Sequence, residues 1–428
     1  MFNSLIKQYN FIYHKKQNLL NNRLSYFFLI LLMISFLHSL GQIISNICLP
    51  SFPCIAKNFS VPTKYVKLSS AVYMFSFGIS QIVNGFFSDK FGRRTIVTLS
   101  LIIATFGSII CIISKTFILF CLARVIQGIG IGACSTISKA IQRDIFKEEN
   151  LSKFASYNGI ITGIIFIFIP LTGGYISHLT GSWEANFILS SILLIISALM
   201  LWFFLPETNN YVQQNSISKL KIKHSIILII KNLDFLWYSC LNLSSCMAIT
   251  AYANSAPFIL QTQMSFNILN FAWISALNSL FIILGRITSA KLISQCGIHQ
   301  VILYGIICKI FGTCCLVINL LFFPTSSLIF ITSVNFLSFG LGLIFSNSFA
   351  GAMSPFDKSA GLASGLFVIF QMIGGITGTI IISVLSESQQ QLSLLIVFVI
   401  ASIISSIAYY KIYPSQLNLM NISKKIRV

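Results

Sequence analysis

Apolar segments long enough to cross a lipid bilayer alternate with short charged breaks along the whole chain. The 428-residue sequence is 56% hydrophobic and only 9% charged, and its mean hydropathy is +0.86. A soluble protein of this size needs far more polar surface to cover its core. Because a helix needs about 20 apolar residues to span the hydrocarbon layer, this pattern predicts an integral membrane protein.

The lengths of the apolar runs predict an all-α membrane protein with about twelve transmembrane helices. The predicted spans are 25–49, 68–88, 95–114, 117–140, 155–178, 186–205, 236–260, 271–294, 300–322, 326–349, 359–384 and 392–412. The longest polar break, 206–235, is predicted to be a central cytoplasmic loop between two six-helix halves, 25–205 and 236–413. An N-terminal tail, 1–24, and a basic C-terminal tail, 414–428, complete this organisation.

The basic residues favour one side of the predicted membrane. On the side that contains the N-terminus, the loops hold Lys90, Arg93, Arg94, Arg143, Lys147, Lys153, Lys219, Lys221, Lys223, Lys231, Arg286, Lys291 and Lys358. The opposite loops hold only Lys57, Lys64, Lys67 and Lys115. Cytoplasmic loops carry an excess of Lys and Arg, so we predict that both termini are cytoplasmic. The net charge of +19 then reflects orientation in the membrane, and we expect no nucleic-acid partner.

A charged turn at 85–94 joins the second and third predicted spans. It places one acid and three cations within six residues, and such a cluster cannot lie in hydrocarbon. The turn resembles the signature loop of the major facilitator superfamily, G-x-x-x-D-x-x-G-R-R/K. The matching positions are Gly85, Asp89, Gly92, Arg93 and Arg94. The alternative interpretation is an ordinary positively charged cytoplasmic loop with two turn glycines.

Further segments resemble the bicyclomycin-resistance (Bcr/CflA) group of multidrug efflux transporters. They are Leu49–Pro53, Arg124–Gly128, Ser138–Asp144, Pro206–Thr208, Ala251–Phe258, Gly340–Gly342 with Asn347, Ala360–Gly365 with Gln371, and a partial helix 5 antiporter motif at Pro170, Gly173 and Gly174. The likeness spans nearly the whole chain. It implies the major facilitator fold and a secondary active transporter of the bacterial inner membrane. It also implies drug or small-metabolite efflux by alternating access, with proton antiport as one mode. In such a transporter the charged turn acts as a cytoplasmic gate.

Two departures from the group concern energy coupling. Efflux pumps of this kind often carry an Asp at the position of Asn46, and some relatives carry a second acid at the position of His38. No Asp or Glu lies in the middle of any predicted span. Because histidine titrates near neutral pH, His38 is the candidate that could replace a missing acid.

Polar residues inside the first and fourth predicted spans are candidates for a substrate cavity or for proton coupling. Spacings of three and four residues place a polar stripe on one face of the first span. The stripe consists of Ser35, His38, Ser39, Gln42, Ser45 and Asn46. Arg124 and Gln127 lie one turn apart in the fourth span. The alternatives are hydrogen bonding between helices for the stripe and an arginine that reaches the membrane interface for Arg124. Lys309 in the ninth span is either buried or interfacial.

The second half carries amides and an aromatic hydroxyl at membrane depth. The candidate cavity residues there are Asn242, Tyr252, Asn278, Asn347 and Gln371. Amides, hydroxyls and aromatic rings suit neutral or amphipathic ligands. The alternative for each of these residues is packing between helices.

Three functions remain open from the sequence. They are drug or metabolite efflux by proton antiport, uncoupled facilitated transport or uptake of a metabolite, and a non-transporting role such as a membrane sensor. Motifs for an enzyme are missing, since there is no phosphate loop, nucleophile elbow or metal cluster. We expect no cofactor, no metal and no disulfide framework. The expected partners are a small-molecule substrate, protons and the lipid bilayer, and the expected state is a monomer.

The Lys and Arg asymmetry makes a prediction about topology. A reporter fused near Gln214 should report a cytoplasmic location, and the same reporter fused near Lys64 should report the opposite side. Reporter activity in cells, corrected for expression level, measures this. An external signal from the fusion near Gln214 would overturn both the orientation and the division into two sets of six spans.

Overall fold

The computed structural model describes residues 23–145, 148–205, 207–208, 226–356, 360–385 and 389–426. Over these residues the chain is helical apart from short turns, and they contain no β-strand. The all-α prediction is therefore confirmed. Most of the predicted N-terminal tail and most of the predicted central loop lie outside the described residues.

The described helices are numbered in chain order. They are α1 (Arg23–Asn46), α2 (Phe52–Asn58), α3 (Thr63–Phe91), α4 (Arg93–Ile113), α5 (Phe117–Ile145), α6 (Glu148–Thr180), α7 (Glu184–Phe204), α8 (Leu233–Pro257), α9 (Ile268–Phe322), α10 (Ser327–Met353), α11 (Ala360–Val384) and α12 (Gln390–Ile426). By length and apolar composition, ten stretches of the described residues are able to cross a membrane, with α9 counted once. Helices suit this environment because every backbone polar group within the bilayer must be satisfied internally.

Helix α9 supplies two of the predicted spans. Gly297 interrupts its helical backbone with φ 78° and ψ 165°, a conformation that glycine adopts without steric cost. The break separates 268–296 from 298–322, close to the positions predicted for the eighth and ninth spans. On each side of the break the helix is long enough to cross the bilayer.

Contacts group the described residues into two compact units. The first unit comprises the described residues of 1–48 and 72–215, which include α1, most of α3 and α4–α7. Within it, α5 lies so close to α4 that a side chain at Gly130 would collide with the backbone of Ala104 and Ser100. Small residues that allow such close backbone approach are typical of helix packing in membranes.

The second unit comprises the described residues of 49–71 and 216–428. It includes α2, the first residues of α3 and α8–α12. Helices α9 and α10 meet at facing glycines, because a Cβ atom at Gly285 would lie 3.0 Å from the Cα atom of Gly342, and one at Gly340 would collide with the carbonyl oxygen of Gly305. A cluster of buried apolar side chains from α8, α9, α10, α11 and α12 fills the interior of this unit.

Residues 49–71 belong to the second unit, although in the chain they lie between the two parts of the first unit, 1–48 and 72–215. The Phe52 and Phe258 ring centroids are 6.4 Å apart. The side-chain amide of Gln261 donates to the carbonyl oxygen of Pro50 at 2.8 Å. The connection between α1 and α3 is therefore held by contacts to the short π-helix, Phe258–Gln263, that follows α8.

Several cations that the sequence analysis counted with the loops lie inside helices. Arg286 and Lys291 belong to α9 and precede the break at Gly297. Lys67 belongs to α3 and is fully buried. A position within a helix does not decide the side of the membrane, so the predicted orientation stays a prediction.

Candidate functional site

The charged turn contains a single non-helical residue. Helix α3 ends at Phe91 and α4 begins at Arg93, so only Gly92 separates them. Gly92 has φ 94° and ψ 148°, a backbone region that is essentially restricted to glycine. The two helices are therefore joined without any spare length of chain.

Glu207 caps the start of α4 from a distant part of the chain. Its carboxylate accepts hydrogen bonds from the backbone amides of Arg93 at 2.8 Å and Arg94 at 3.1 Å. The first amides of a helix have no partner within the helix, and a negative charge there is favoured by the helix dipole. The carboxylate also fills the space beside Gly92, since a Cβ atom there would lie 2.9 Å from the Glu207 carboxyl carbon.

Arg93 joins the ends of three helices. Its guanidinium forms ion pairs with Asp89 of α3 at 2.5 Å and with Asp144 of α5 at 3.3 Å. It also donates to the Ser88 hydroxyl at 2.7 Å. Asp144 accepts a second hydrogen bond from Thr208 at 3.2 Å. Charge-assisted hydrogen bonds of this kind are stronger than neutral ones, so Arg93 is the centre of the cluster.

Arg94 extends the same cluster towards α7. Its guanidinium donates to the carbonyl oxygen of Trp202 and lies 4.6 Å from the centroid of the Trp202 ring. A guanidinium over an indole face is a cation–π contact. We define the charge cluster as Asp89, Arg93, Arg94, Asp144 and Glu207. It ties α3, α4, α5 and the end of α7 together within the first unit.

Gly85, the first glycine of the motif, has a weaker steric requirement. A Cβ atom at this position would lie 3.4 Å from the Thr136 methyl group, which is ordinary van der Waals contact. Its carbonyl oxygen accepts a hydrogen bond from the Ser88 hydroxyl at 2.9 Å. The two motif glycines thus have different structural roles.

Arg124 is buried inside the first unit. Its side chain is 1% exposed, and its guanidinium carbon lies 4.2 Å from the centroid of the Tyr73 ring. It donates to the Gln127 side-chain oxygen at 2.5 Å, and the Gln127 amide donates to Ser108 at 2.6 Å. One guanidinium nitrogen of Arg124 is buried without a hydrogen-bond partner among the described residues. Arg124 and Gln127, which the sequence placed one turn apart, are hydrogen-bonded, and a buried, incompletely paired arginine remains a candidate for substrate binding or coupling.

The polar stripe of α1 separates into two parts. Ser35 and Ser39 are fully buried, and the Ser39 hydroxyl donates to Thr162 of α6 at 3.4 Å, as expected for packing between helices. The other four members are half-buried. These are His38, Gln42, Ser45 and Asn46.

The half-buried side chains of α1 form hydrogen bonds with uncharged partners. The Asn46 amide donates to the carbonyl and side-chain oxygens of Gln42 at 2.9 and 3.2 Å. The His38 Nδ1 atom lies 3.2 Å from the Ser138 hydroxyl of α5. These side chains form a polar surface that offers both donors and acceptors for an uncharged ligand.

The helix 5 motif lies in α6. Pro170 is inside the helix, and both following glycines, Gly173 and Gly174, are buried. A Cβ atom at Gly173 would collide with the carbonyl oxygen of Ile47, so the end of α1 approaches α6 through this glycine. For Gly173, the structure gives the motif a packing role.

Asn278 and Asn347 connect α9 to α10. The Asn278 amide donates to Ser338 at 2.7 Å, and the Asn347 amide donates to Ser289 at 2.8 Å. Asn278 is 6% exposed and Asn347 is 1% exposed. Their hydrogen bonds run between helices, which favours the packing interpretation for both residues.

The remaining candidates of the second unit lie on α8 and α11. Asn242 is fully buried, and neither its oxygen nor its nitrogen has a hydrogen-bond partner among the described residues. Tyr252 is also buried. Gln371 of α11 is half-buried. Asn242 is the member of this set with unused hydrogen-bonding capacity.

Sequence reasoning missed Glu207, Lys67 and the environment of Lys309. Glu207 belongs to the Pro-Glu-Thr segment, which was recognised as a family marker without a role. The Lys67 ammonium donates to Gln390 of α12 at 3.2 Å and lies 5.4 Å from the Phe258 ring centroid. A basic residue between apolar neighbours is the signal for such sites, but sequence does not show its partners.

The comparisons with known proteins place these features in a family. The sequence profile of the Major Facilitator Superfamily matches residues 31–379. The chain belongs to this superfamily. It is thus a membrane transporter and not an enzyme.

Relatives and solved structures agree with this assignment. The bicyclomycin resistance protein homolog of Haemophilus influenzae is 22% identical over 90% of this chain and 96% of its own length. The chloramphenicol resistance protein of Pseudomonas aeruginosa is 24% identical over 84% of each chain. The crystal structure of the D-xylose-proton symporter superposes with a TM-score of 0.75 at 13% identity, over 89% of this chain and 97% of that chain. The last likeness shows a shared fold, so the predicted major facilitator fold is confirmed.

The two motif glycines offer a matched pair of substitutions. Gly92→Ala should destabilise the protein by about 1–3 kcal/mol, because alanine at this φ is strained and its methyl group displaces Glu207. Gly85→Ala should change the stability by less than about 0.5 kcal/mol. The unfolding temperature of the purified protein in detergent measures both effects.

A double substitution separates the two causes of the Gly92 effect. In a Glu207→Ala background the methyl group no longer meets a carboxylate, so Gly92→Ala should then cost less than it does in the wild type. Equal unfolding temperatures for Gly92→Ala and Gly85→Ala would contradict the structural role of Gly92.

Proposed function

We propose that this protein is a secondary transporter of the bacterial inner membrane that exports drugs or small metabolites by alternating access. The observation that carries the proposal is the match to relatives named for resistance to bicyclomycin and chloramphenicol over most of their length. Such a match covers helices and connecting turns alike. The proposal includes cytoplasmic termini, as the Lys and Arg distribution predicts, and a monomeric state.

The charge cluster supports a role in the conformational change. Arg93 is mostly buried, with 12% of its side chain exposed, whereas its partner Asp89 is 66% exposed and its partner Asp144 is 24% exposed. Exposed ion pairs are individually weak, but here one guanidinium serves two carboxylates on different helices. A conformational change that separates these helix ends would have to break both ion pairs.

The half-buried side chains of α1 support a neutral or amphipathic substrate. His38, Gln42, Ser45 and Asn46 supply hydrogen-bond donors and acceptors, and among them only His38 is able to carry a charge. A few polar groups in an otherwise apolar environment are typical of small-molecule sites. We therefore propose that this face of α1 contacts the substrate.

Energy coupling defines a second candidate function. Asn46 stands where related pumps often carry an acid, and its amide is fully engaged with Gln42. Within the described helices, the carboxylates lie in the first or last turns, at Asp89, Asp144, Glu148, Glu149, Glu184 and Asp234. This observation favours an uncoupled facilitator or an uptake transporter over a carboxylate-driven antiporter. His38 is the titratable group on the α1 face that allows proton coupling to be retained.

An export assay with matched variants tests the proposal. Cells that express the protein should accumulate less radiolabelled chloramphenicol or bicyclomycin than cells with an empty vector. Arg93→Ala and Asp89→Asn should reach the membrane at wild-type levels and reduce export by about tenfold or more, because the favoured conformation is lost. Lys57→Met, which changes an exposed residue of α2, should export like the wild type.

Two outcomes of this assay decide against the proposal. Equal drug accumulation with and without the protein removes drug export for these two compounds and favours metabolite transport. If both Arg93→Ala and Asp89→Asn export the drug at the wild-type rate, the charge cluster has no role in the conformational change, although the protein is still an exporter.

The pH dependence of transport tests His38. Replacement by glutamine keeps a polar group that is able to hydrogen-bond Ser138 but cannot titrate, so His38→Gln should remove the part of the pH dependence of transport that comes from protonation of the imidazole. Initial transport rates in vesicles at a series of pH values provide the measurement. A curve identical to that of the wild type would show that His38 only bonds the neighbouring helix.

A further inference from the structure

Lys309 is a fully buried lysine inside a membrane-spanning part of the second unit. It lies in the 298–322 part of α9, its side chain is 0% exposed, and it is among the largest fully buried side chains. An intramembrane ionisable residue is costly unless it is paired, and it is by default a candidate for a function. The charge cluster and the α1 surface do not use it.

The Lys309 ammonium contacts only neutral oxygen atoms in the described part of the chain. It donates to the carbonyl oxygen of Ala401 at 2.8 Å, to the Ser405 hydroxyl at 2.8 Å and to the Ser244 hydroxyl at 3.4 Å. The salt bridges found among the described residues belong to Arg93. A buried positive charge is therefore held here without a compensating carboxylate, which is unfavourable by several kcal/mol in general.

The two serines allow the site to hold either protonation state. When Lys309 is an ammonium, the Ser405 hydroxyl donates to the carbonyl oxygen of Ala401 at 2.9 Å, the Ser244 hydroxyl donates to the Ser405 oxygen at 2.6 Å, and both oxygens accept from Nζ. When it is a neutral amine, the Ser405 hydroxyl is able to donate to Ser244 instead, and the Ser244 hydroxyl is then able to donate to the Nζ lone pair. No donor or acceptor of the site is orphaned in either state, which matters because unsatisfied buried groups are costly.

The helices around Lys309 place few other titratable groups near it. On α8 the titratable group two residues from Ser244 is Cys246, a buried thiol. On α9 itself the sequence neighbour is Cys308, and Arg286 lies on the other side of the Gly297 break. Helix α10 carries no titratable side chain, and it meets Lys309 at Gly340. On α12 the first described titratable group is Tyr409, one turn beyond Ser405, and Tyr410 and Lys411 follow it.

We propose that Lys309 is an intramembrane proton-binding site of this transporter. On release, an N–H bond of the ammonium breaks, the electron pair stays on Nζ, and the proton passes to a water molecule that enters when the packing around the site opens. Uptake is the reverse step. The role of this site in transport rests on the proposed function, since Lys309 would supply the exchangeable proton that a carboxylate at the position of Asn46 does not.

A proton titration tests the site without reference to transport. The purified full-length protein is titrated in detergent between about pH 6 and 9, and the protons released are counted. The wild type should release about one proton more per chain than Lys309→Met. Lys57→Met is the matched control, because an exposed lysine keeps its proton below about pH 9, and it should titrate like the wild type.

A second variant protects this test against misfolding. Lys309→Gln keeps a donor towards Ala401 and cannot titrate, so it should show the same loss of about one proton. If Lys309→Gln or Lys309→Met releases as many protons as the wild type, the lysine keeps its charge throughout and serves only as a hydrogen-bond donor between α8, α9 and α12. That result would overturn the proposal.

Vesicle transport distinguishes a failure of the site from a failure of the proposed function. With chloramphenicol as the probe, Lys309→Gln should exchange the drug at equal pH within about twofold of the wild-type rate. An imposed pH gradient should drive accumulation in wild-type vesicles and not in vesicles with this variant. Equal gradient-driven accumulation in both, or none in either, overturns the coupling role. If the wild type exchanges no drug, export of this drug fails, and the titration alone decides whether Lys309 binds a proton.

Discussion

The absence of water from the hydrocarbon layer is the constraint on which the rest of this structure depends. Backbone groups meet it by forming helices, and polar side chains must meet it by finding partners inside the protein. Ser39, Asn278 and Asn347 do so by bonding a neighbouring helix. Arg124 and Lys309 satisfy it less completely, because their charges lack a carboxylate among the described residues. A packing role alone therefore does not account for a charged residue at these two positions.

Sequence sufficed for the features that depend on local pattern. The lengths of apolar runs located the helices, and the break at Gly297 falls between the runs 271–294 and 300–322. The one-turn spacing of Arg124 and Gln127 placed their side chains in contact. Each of these predictions needs only helix periodicity and the thickness of the bilayer.

Partners that are distant in the chain could not be predicted. Glu207 lies more than a hundred residues from the amides that it caps, and no periodicity connects the two. The burial of Lys67 was not predicted, because composition does not show whether a lysine or arginine at a helix end extends into the apolar layer. Lys309 was left undecided for the same reason, since its three oxygen acceptors come from α8 and α12. Tertiary contacts, and not propensity, settle such cases.

The single-residue link at Gly92 has a mechanical consequence. A flexible connection of several residues would let one helix rotate without moving the next. With only Gly92 between them, and with Glu207 clamping the first amides of α4, α3 and α4 form a rigid elbow. A rotation of α3 then moves α4 with it, so the two helices act as a lever.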